Sequence, residues 1–152
     1  MAAKAVSSAR VLGIDASRAT LAHPTGVERY ARAVIQALLP LAEAHGVRLR
    51  LYFRDPPPPG LFPPSPAVEH RVLRFPRLWT HLRLSWEMGR RPPDVLFVPA
   101  HVIPLWHPTS AVTIHDLGYR HFPHAHPPLQ RLYLDLSTAW SARAARRVFA
   151  DS

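Results

Sequence analysis

Short apolar runs and longer amphipathic segments alternate along the chain. Apolar runs predict β-strands at 11–16, 94–99 and 111–116, and the first and last of these runs end in polar residues. Alternating arginine and apolar residues predict a half-buried or edge strand at 48–54, and HRVLRF at 70–75 follows as a further strand. Apolar residues at helical spacing predict helices at 27–45, 78–89 and 127–145, and the closing RVFADS begins one more strand. Several strands are apolar on both faces, which is typical of a parallel sheet covered on two sides. The pattern therefore predicts an α/β protein with a doubly wound, mostly parallel, Rossmann-like sheet.

The two long predicted helices each carry one apolar stripe. The stripe of the first helix consists of Val27, Ala31, Val34, Leu38 and Leu41. That of the last helix consists of Leu129, Leu132, Leu136, Trp140 and Ala144. Because polar residues fill the opposite face of the first helix, we expect it to lie on the sheet with one side in water. Gly46 then ends this helix.

The segment 56–66 contains seven prolines among its eleven residues. Proline removes backbone donors and is incompatible with both helix interiors and central strands, so the segment should be a surface loop. A linker between domains is the alternative, but too few elements precede the segment to form a stable sheet. We therefore predict one domain over 1–152, in which this loop is exposed and dispensable.

The predicted helix at 78–89 allows two interpretations. It carries Trp79 and Trp86 and is flanked by Arg77, Arg90 and Arg91, a combination that resembles an interfacial amphipathic segment. Packing against the sheet is the other interpretation and the one that we favour.

Composition narrows the classes of protein that are compatible with this chain. With 152 residues of which 47% are hydrophobic, it is long enough to form one core. It has no cysteine, so disulfides and thiolate chemistry are excluded. Its start lacks the continuous apolar run of a signal peptide, and no stretch approaches the length of a spanning helix. We expect a cytoplasmic protein, and a peripheral position at the inner face of the membrane is compatible with that expectation.

The net charge of +9 comes from 18 arginines and one lysine against ten acids. Such a balance favours anionic partners, namely phosphates, nucleic acid or an acidic membrane face. The preference for arginine over lysine has an equally good explanation in genome composition. Because no helix-turn-helix, RRM or zinc-finger pattern is present, we expect no nucleic-acid partner.

In sheets of this kind ligands bind where the strands end, so the loops after the strands are informative. Thr25 and Gly26 open the first helix, where free backbone N–H groups attract phosphate, although most such pairs are simple caps. His101 follows the strand at 94–99. His115 and Asp116 end the next strand, where they could transfer protons or orient a sugar hydroxyl, or only cap the following turn.

Sequence motifs for cofactor binding are absent, and those for metal binding are weak. The chain has neither a GxGxxG motif nor a Walker sequence, so the usual sequence evidence for NAD binding or for a P-loop nucleotidase is missing. We therefore expect no cofactor. His121, His124 and His126 have a spacing that suggests zinc, but neighbouring prolines and the absence of cysteine favour a polar loop. We therefore predict no metal site.

Five segments in order resemble family 4 of the retaining glycosyltransferases. They are GIDAS, TGVERYARAVIQALL, DVLFVPAH, VTIHDL and RRVFADS. The stretch from Phe122 to Leu134 is similar to bacterial mannosyltransferase-like members that build polysaccharides. The resemblance implies a two-domain GT-B enzyme whose first half receives the acceptor, while the second half binds the nucleotide sugar. We expect this chain to be the amino-terminal half and to be inactive alone.

The resemblance also implies partners and roles. The donor would be a GDP- or UDP-sugar, and a hexose such as mannose would pass to a glycan or lipid-linked acceptor. His115 would face the transferred sugar and the acceptor, and Thr25 and Gly26 would approach the donor diphosphate. With Asp116 beside it at the strand end, we expect His115 and Asp116 to be the catalytic residues. Residues expected to contact the acceptor are Arg29, His101 and Tyr119.

One residue departs from the family pattern, since Glu28 stands where many members have a second glycine, which weakens the expected diphosphate contact. The implied mechanism is front-face transfer with retention, which requires no protein nucleophile and no metal. The alternative function is a non-catalytic basic Rossmann-like module that binds an anionic surface or polymer. Its binding should fall steeply with salt.

Overall fold

The computed structural model describes residues 10–115 and 127–150 and has an α/β architecture. Its six strands are β1 (Val11–Asp15), β2 (Arg48–Phe53), β3 (Val68–Val72), β4 (Val95–Val98), β5 (Ser110–Ile114) and β6 (Arg147–Ala150). They form one sheet in the order β3-β2-β1-β4-β5-β6, and every neighbouring pair is parallel. The predicted Rossmann-like fold class is confirmed.

Three helical regions cover the sheet. The first is α1 (Gly26–Ala44). A π-helical segment, Trp79–Leu84, runs directly into α2 (Ser85–Arg90), and together they match the predicted helix at 78–89. The third is α3 (Pro128–Ala144). No helix in the described ranges is long and apolar enough to cross a membrane.

The strands bury side chains on both faces, as the apolar runs predict. Leu51 and Phe97 belong to the core under α1, whereas their neighbours Tyr52 and Leu96 belong to the core on the opposite face. Successive side chains of a strand alternate between faces, so these pairs mark the two layers. Residues of the 79–90 helical region and the end of α3 complete the second layer, which makes the sheet doubly wound.

Four of the five residues of the apolar stripe of α3 face solvent, and only Ala144 at its end packs against the core. Leu129 is 82% exposed, and Leu132, Leu136 and Trp140 are also exposed. The buried face consists instead of Ser137, Thr138 and Ser141. The Ser141 hydroxyl donates to the backbone oxygen of Ser137 and accepts from the backbone N–H of Ile103, at 2.8 and 3.1 Å. Small residues, with Ser141 held by hydrogen bonds, therefore make most of the contact between this helix and the rest of the fold.

The proline-rich loop is only partly as predicted. Most of its prolines are exposed, but Phe62 is 2% exposed and belongs to the core under α1. Its ring stacks on that of Phe53 at the end of β2, with 6.1 Å between centroids. The prediction of an entirely exposed segment is therefore wrong at this residue, because the loop folds back to fill the space beside β2.

Candidate functional site

A polar crevice opens at the carboxyl ends of β1, β2 and β4, where a doubly wound sheet places its ligands. Its inner part, about 220 Å³, is lined by residues that include Asp15, Arg18, Glu28, Thr80, His101 and Tyr133. Its outer part, about 370 Å³, shares Ser17, Arg18, Thr80 and Tyr133 and extends to Arg54 and His81. The strand ends form the floor, while α3 and the segment at 79–84 form the walls.

Asp15, the last residue of β1, lies on the floor of the crevice and is only 4% exposed. Its Oδ1 accepts hydrogen bonds from the Ser17 backbone N–H at 3.0 Å and from the Ser17 hydroxyl at 2.6 Å. Burial raises the pKa of this carboxyl, and the two bonds from Ser17 and the nearby Arg18 only partly offset that effect. A cleft carboxyl with a raised pKa is a candidate proton acceptor. No motif in the sequence singles out Asp15, although its position at the end of β1 is a signal.

The start of α1 is occupied by the protein's own carboxylate. Glu28 accepts hydrogen bonds from the Thr25 backbone N–H, at 2.9 Å, and from the Thr25 hydroxyl, and the Arg18 guanidinium lies 3.6 Å away. Burial alone would raise the pKa of Glu28, but the Thr25 bonds and Arg18 outweigh it and the pKa is lowered. The carboxylate is therefore ionised at neutral pH and stabilises the helix start.

This arrangement bears on the predicted diphosphate contact. A donor phosphate would have to displace Glu28 in order to reach the Thr25 N–H. Gly26 has open space beside its Cα, since an added Cβ would meet nothing within 4 Å. The role of Thr25 and Gly26 in donor binding stays a prediction, and Glu28 is the residue that opposes it.

His115 directly follows β5, at the carboxyl end of the strand as predicted, but its side chain is buried. Its Nε2 lies 3.1 Å from the carbonyl oxygen of Pro99. A carbonyl can only accept, so Nε2 carries a proton. The ring of His101 meets that of His115 edge to face at 5.3 Å, and His101 lines the crevice. His115 itself is not among the residues that line the crevice, and its expected catalytic role stays a prediction.

Tyr30 of α1 packs on the other side of His115. Their ring centroids lie 4.7 Å apart at nearly a right angle, and the Tyr30 hydroxyl lies 3.1 Å from that of Thr113 in β5. The tyrosine holds the imidazole between α1 and the sheet. In this geometry the His115 ring packs against the rings of both Tyr30 and His101.

A histidine and a tyrosine that no sequence pattern links also meet at the crevice. His81 Nε2 and the Tyr133 hydroxyl are 2.9 Å apart and join the segment at 79–84 to α3 across the outer crevice. Burial lowers the pKa of His81 and raises that of Tyr133, so both are neutral at pH 7 and the hydroxyl can donate to the imidazole. The two residues are 52 positions apart, and no local pattern links them.

Of the remaining predicted residues, only Arg29 belongs to the described part of the chain, and it does not join the crevice. Arg29 is exposed on α1 and is not among the residues that line it. Asp116 and Tyr119 lie outside the described residues, as do the three histidines once considered for zinc, His121, His124 and His126. Within residues 10–115 and 127–150, no group of three histidine or acidic side chains could hold a metal ion.

The lining of the crevice suits a ligand rich in hydroxyl groups. Ser17, Thr80 and Tyr133 offer hydroxyls, His101 and His81 offer imidazoles, and Arg18 offers a guanidinium. Hydroxyls and neutral imidazoles can both donate and accept hydrogen bonds, whereas the guanidinium only donates, and polyhydroxy ligands require both kinds of partner. Comparisons of the chain with protein-family models, curated proteins and solved structures found no match.

Proposed function

We propose that this chain is the acceptor-binding domain of a retaining glycosyltransferase of the GT-B type. The polar crevice at the carboxyl ends of the strands carries the proposal. It lies where a doubly wound sheet binds ligands, and its hydroxyl, imidazole and guanidinium groups match the hydrogen-bonding needs of a sugar. The five sequence segments that resemble family 4 support the same function.

In this proposal the crevice orients a glycan or lipid-linked acceptor. Thr80, His101 and Tyr133 contact sugar hydroxyls from the walls, and Arg18 contacts a charged or hydroxyl group at the mouth. Asp15 lies at the floor, and its raised pKa allows it to accept a hydrogen bond or a proton from a deeply bound hydroxyl.

The proposed reaction needs a nucleotide sugar in addition to these residues. The acceptor oxygen bonds to the anomeric carbon of a hexose on the face from which the diphosphate leaves. The bond between that carbon and the diphosphate oxygen breaks, and the acceptor proton passes to the leaving phosphate. The chain supplies orientation of the acceptor, which lowers the entropic part of the barrier.

The direct test is acceptor binding by the chain itself. Ligand-observed NMR with mannose-containing oligosaccharides should detect binding, and Tyr133→Phe or Thr80→Val should weaken it about five- to tenfold per lost hydrogen bond. Gln36→Ala, on the exposed face of α1, is the matched control and should bind like the intact chain.

Two results would count against the proposal. One is unchanged affinity in both crevice variants. The other is the absence of glycan binding together with binding to an anionic polymer that falls steeply as salt is raised. The second result would favour the non-catalytic basic module, whose affinity depends on the release of counterions.

A further inference from the structure

Four large apolar side chains meet on the surface beside the crevice. Leu82 and Trp86 come from the 79–90 helical region, and Leu105 and Trp106 come from the loop between β4 and β5. They are 49%, 61%, 57% and 67% exposed, respectively. We call these four residues the tryptophan surface. Isolated exposed apolar residues are ordinary, whereas a contiguous group marks a binding surface.

The backbone holds this surface in place. The Trp106 N–H donates to the Ser85 hydroxyl at 3.3 Å, which ties the loop to the start of α2. Gly89 lies against the indole of Trp106, since a Cβ added there would stand 3.6 Å from the ring. The two tryptophans are therefore presented together by a fixed contact between helix and loop.

Packing of the fold does not require these side chains. The same helical region already buries Trp79, Leu84 and Met88 against the sheet, at 6%, 0% and 1% exposure. Leu82 and Trp86 project from its opposite side. The helical region is thus apolar on two sides, and only one of them is covered.

Arg90 lines the tryptophan surface, and further arginines flank its helical region in the sequence. Arg77, Arg90 and Arg91 are exposed, and the Arg90 guanidinium lies 5.6 Å from the centre of the Trp86 ring. The single acid between positions 77 and 91 is Glu87, which is buried and paired with Arg71 at 2.6 Å and with Arg83 at 3.3 Å. Arg90 is the charged residue among those that line the tryptophan surface and none of these lining residues is acidic, so the surface complements an anionic partner.

We propose that the tryptophan surface binds acidic phospholipid membranes. Trp86 and Trp106 insert at the level of the headgroups, where indoles are favoured, and Arg90 contacts lipid phosphates. His81 lines both this surface and the outer crevice, so binding would place the crevice mouth next to the bilayer. The proposal does not rest on glycosyl transfer, because membrane binding can be measured without any sugar.

Vesicle sedimentation tests the proposal. The chain should sediment with vesicles of phosphatidylcholine and phosphatidylglycerol at low salt, and it should not sediment with phosphatidylcholine alone. Trp86→Ala combined with Trp106→Ala should lower the partition coefficient at least about tenfold through loss of inserted apolar area. Arg90→Ala should lower it about fivefold, the scale for one basic residue near an acidic membrane.

Two matched variants complete the experiment. Leu41→Ala removes a 52% exposed apolar side chain of α1 and should leave the partition coefficient unchanged. Leu136→Ala combined with Trp140→Ala tests the exposed stripe of α3 and should also leave it unchanged. Thermal unfolding of each variant verifies that it folds.

Three outcomes would overturn the proposal. The first is failure of the intact chain to associate with acidic vesicles. The second is equal association of the Trp86→Ala/Trp106→Ala variant while it remains folded. The third is loss of association in the α3 variant alone, which would move the contact to that helix. Self-association of the intact chain that is abolished by the double tryptophan substitution, without vesicle binding, would assign the surface to a protein interface instead.

Discussion

Replacement of Phe62 by alanine tests whether the proline-rich loop belongs to the core. The phenylalanine lies within a segment that the sequence marks as a surface loop, yet it is 2% exposed and stacks on Phe53. If the loop packs as described, Phe62→Ala leaves a cavity beside β2. If the loop is only an exposed connection, the substitution removes a solvated side chain and costs little.

The expected loss of stability follows from the burial of this ring. A buried phenylalanine removes about 150–250 Å² from water, which at about 25 cal/mol per Å² corresponds to roughly 4–6 kcal/mol as an upper bound. Measured costs of Phe→Ala in cores are about 3–5 kcal/mol. A loop can partly collapse into the cavity, so we expect about 3 kcal/mol. That loss corresponds to a decrease in Tm of about 6–12 °C for a chain of this size.

Urea unfolding followed by tryptophan fluorescence measures this change. The midpoint should fall while the slope m stays constant, because the amount of surface exposed on unfolding is similar. Pro63→Ala, an exposed position in the same loop, is the control and should cost less than about 1 kcal/mol. A loss below about 1 kcal/mol for Phe62→Ala would refute this packing and restore the prediction of a dispensable segment.

Four further predictions concern the strand ends and the crevice. Gly13→Ala should destabilise by about 1–3 kcal/mol in chemical denaturation, because its Cβ would lie 2.7 Å from Pro93, whereas Gly26→Ala meets no atom and should be nearly neutral. Asp15→Asn keeps an acceptor for both bonds from Ser17 and should stabilise at neutral pH. Because the pKa of Asp15 is raised in the folded state, the intact chain loses stability as the pH rises above 3.8. The stability advantage of Asp15→Asn should therefore vanish below pH 3.8, which unfolding curves at a series of pH values measure. Glu28→Ala should cost about 1 kcal/mol at pH 7. The lowered pKa means that this contribution is present above pH 4.5 and is lost as pH falls through the folded value, so a constant difference down to strongly acidic pH would contradict the assignment. His115→Ala should lower the stability by about 2 kcal/mol, since it leaves the Pro99 carbonyl without this donor. An unchanged Tm in calorimetry would contradict this buried, hydrogen-bonded position.

Local periodicity was sufficient to predict the elements of this fold. The apolar runs at 11–16 and 48–54 became β1 and β2, and the stripe at 27–45 became α1. Runs that are apolar on both faces are compatible only with burial on both faces, so the parallel, doubly wound class followed as well. The ends of these strands then marked the edge at which the crevice opens.

The tertiary structure alone decided which side of a helix is buried. In α3 the apolar stripe and the buried face lie on different sides, because Ser141 is held by hydrogen bonds to Ser137 and to the Ile103 N–H. A stripe of leucines reports amphipathicity, but it does not report which surface the fold covers. The same limit applies to Phe62, whose neighbours in sequence are exposed prolines.

The composition of the crevice also depended on long-range contacts. The sequence alone determined that His101 and His115 follow neighbouring apolar strands, and therefore that they lie at one edge of the sheet. Only the folded chain decided that His101 lines the crevice while His115 packs against its ring, and that His81 meets Tyr133. Side-chain burial and pairing across many residues arise from the packing of whole elements, which local spacing does not encode.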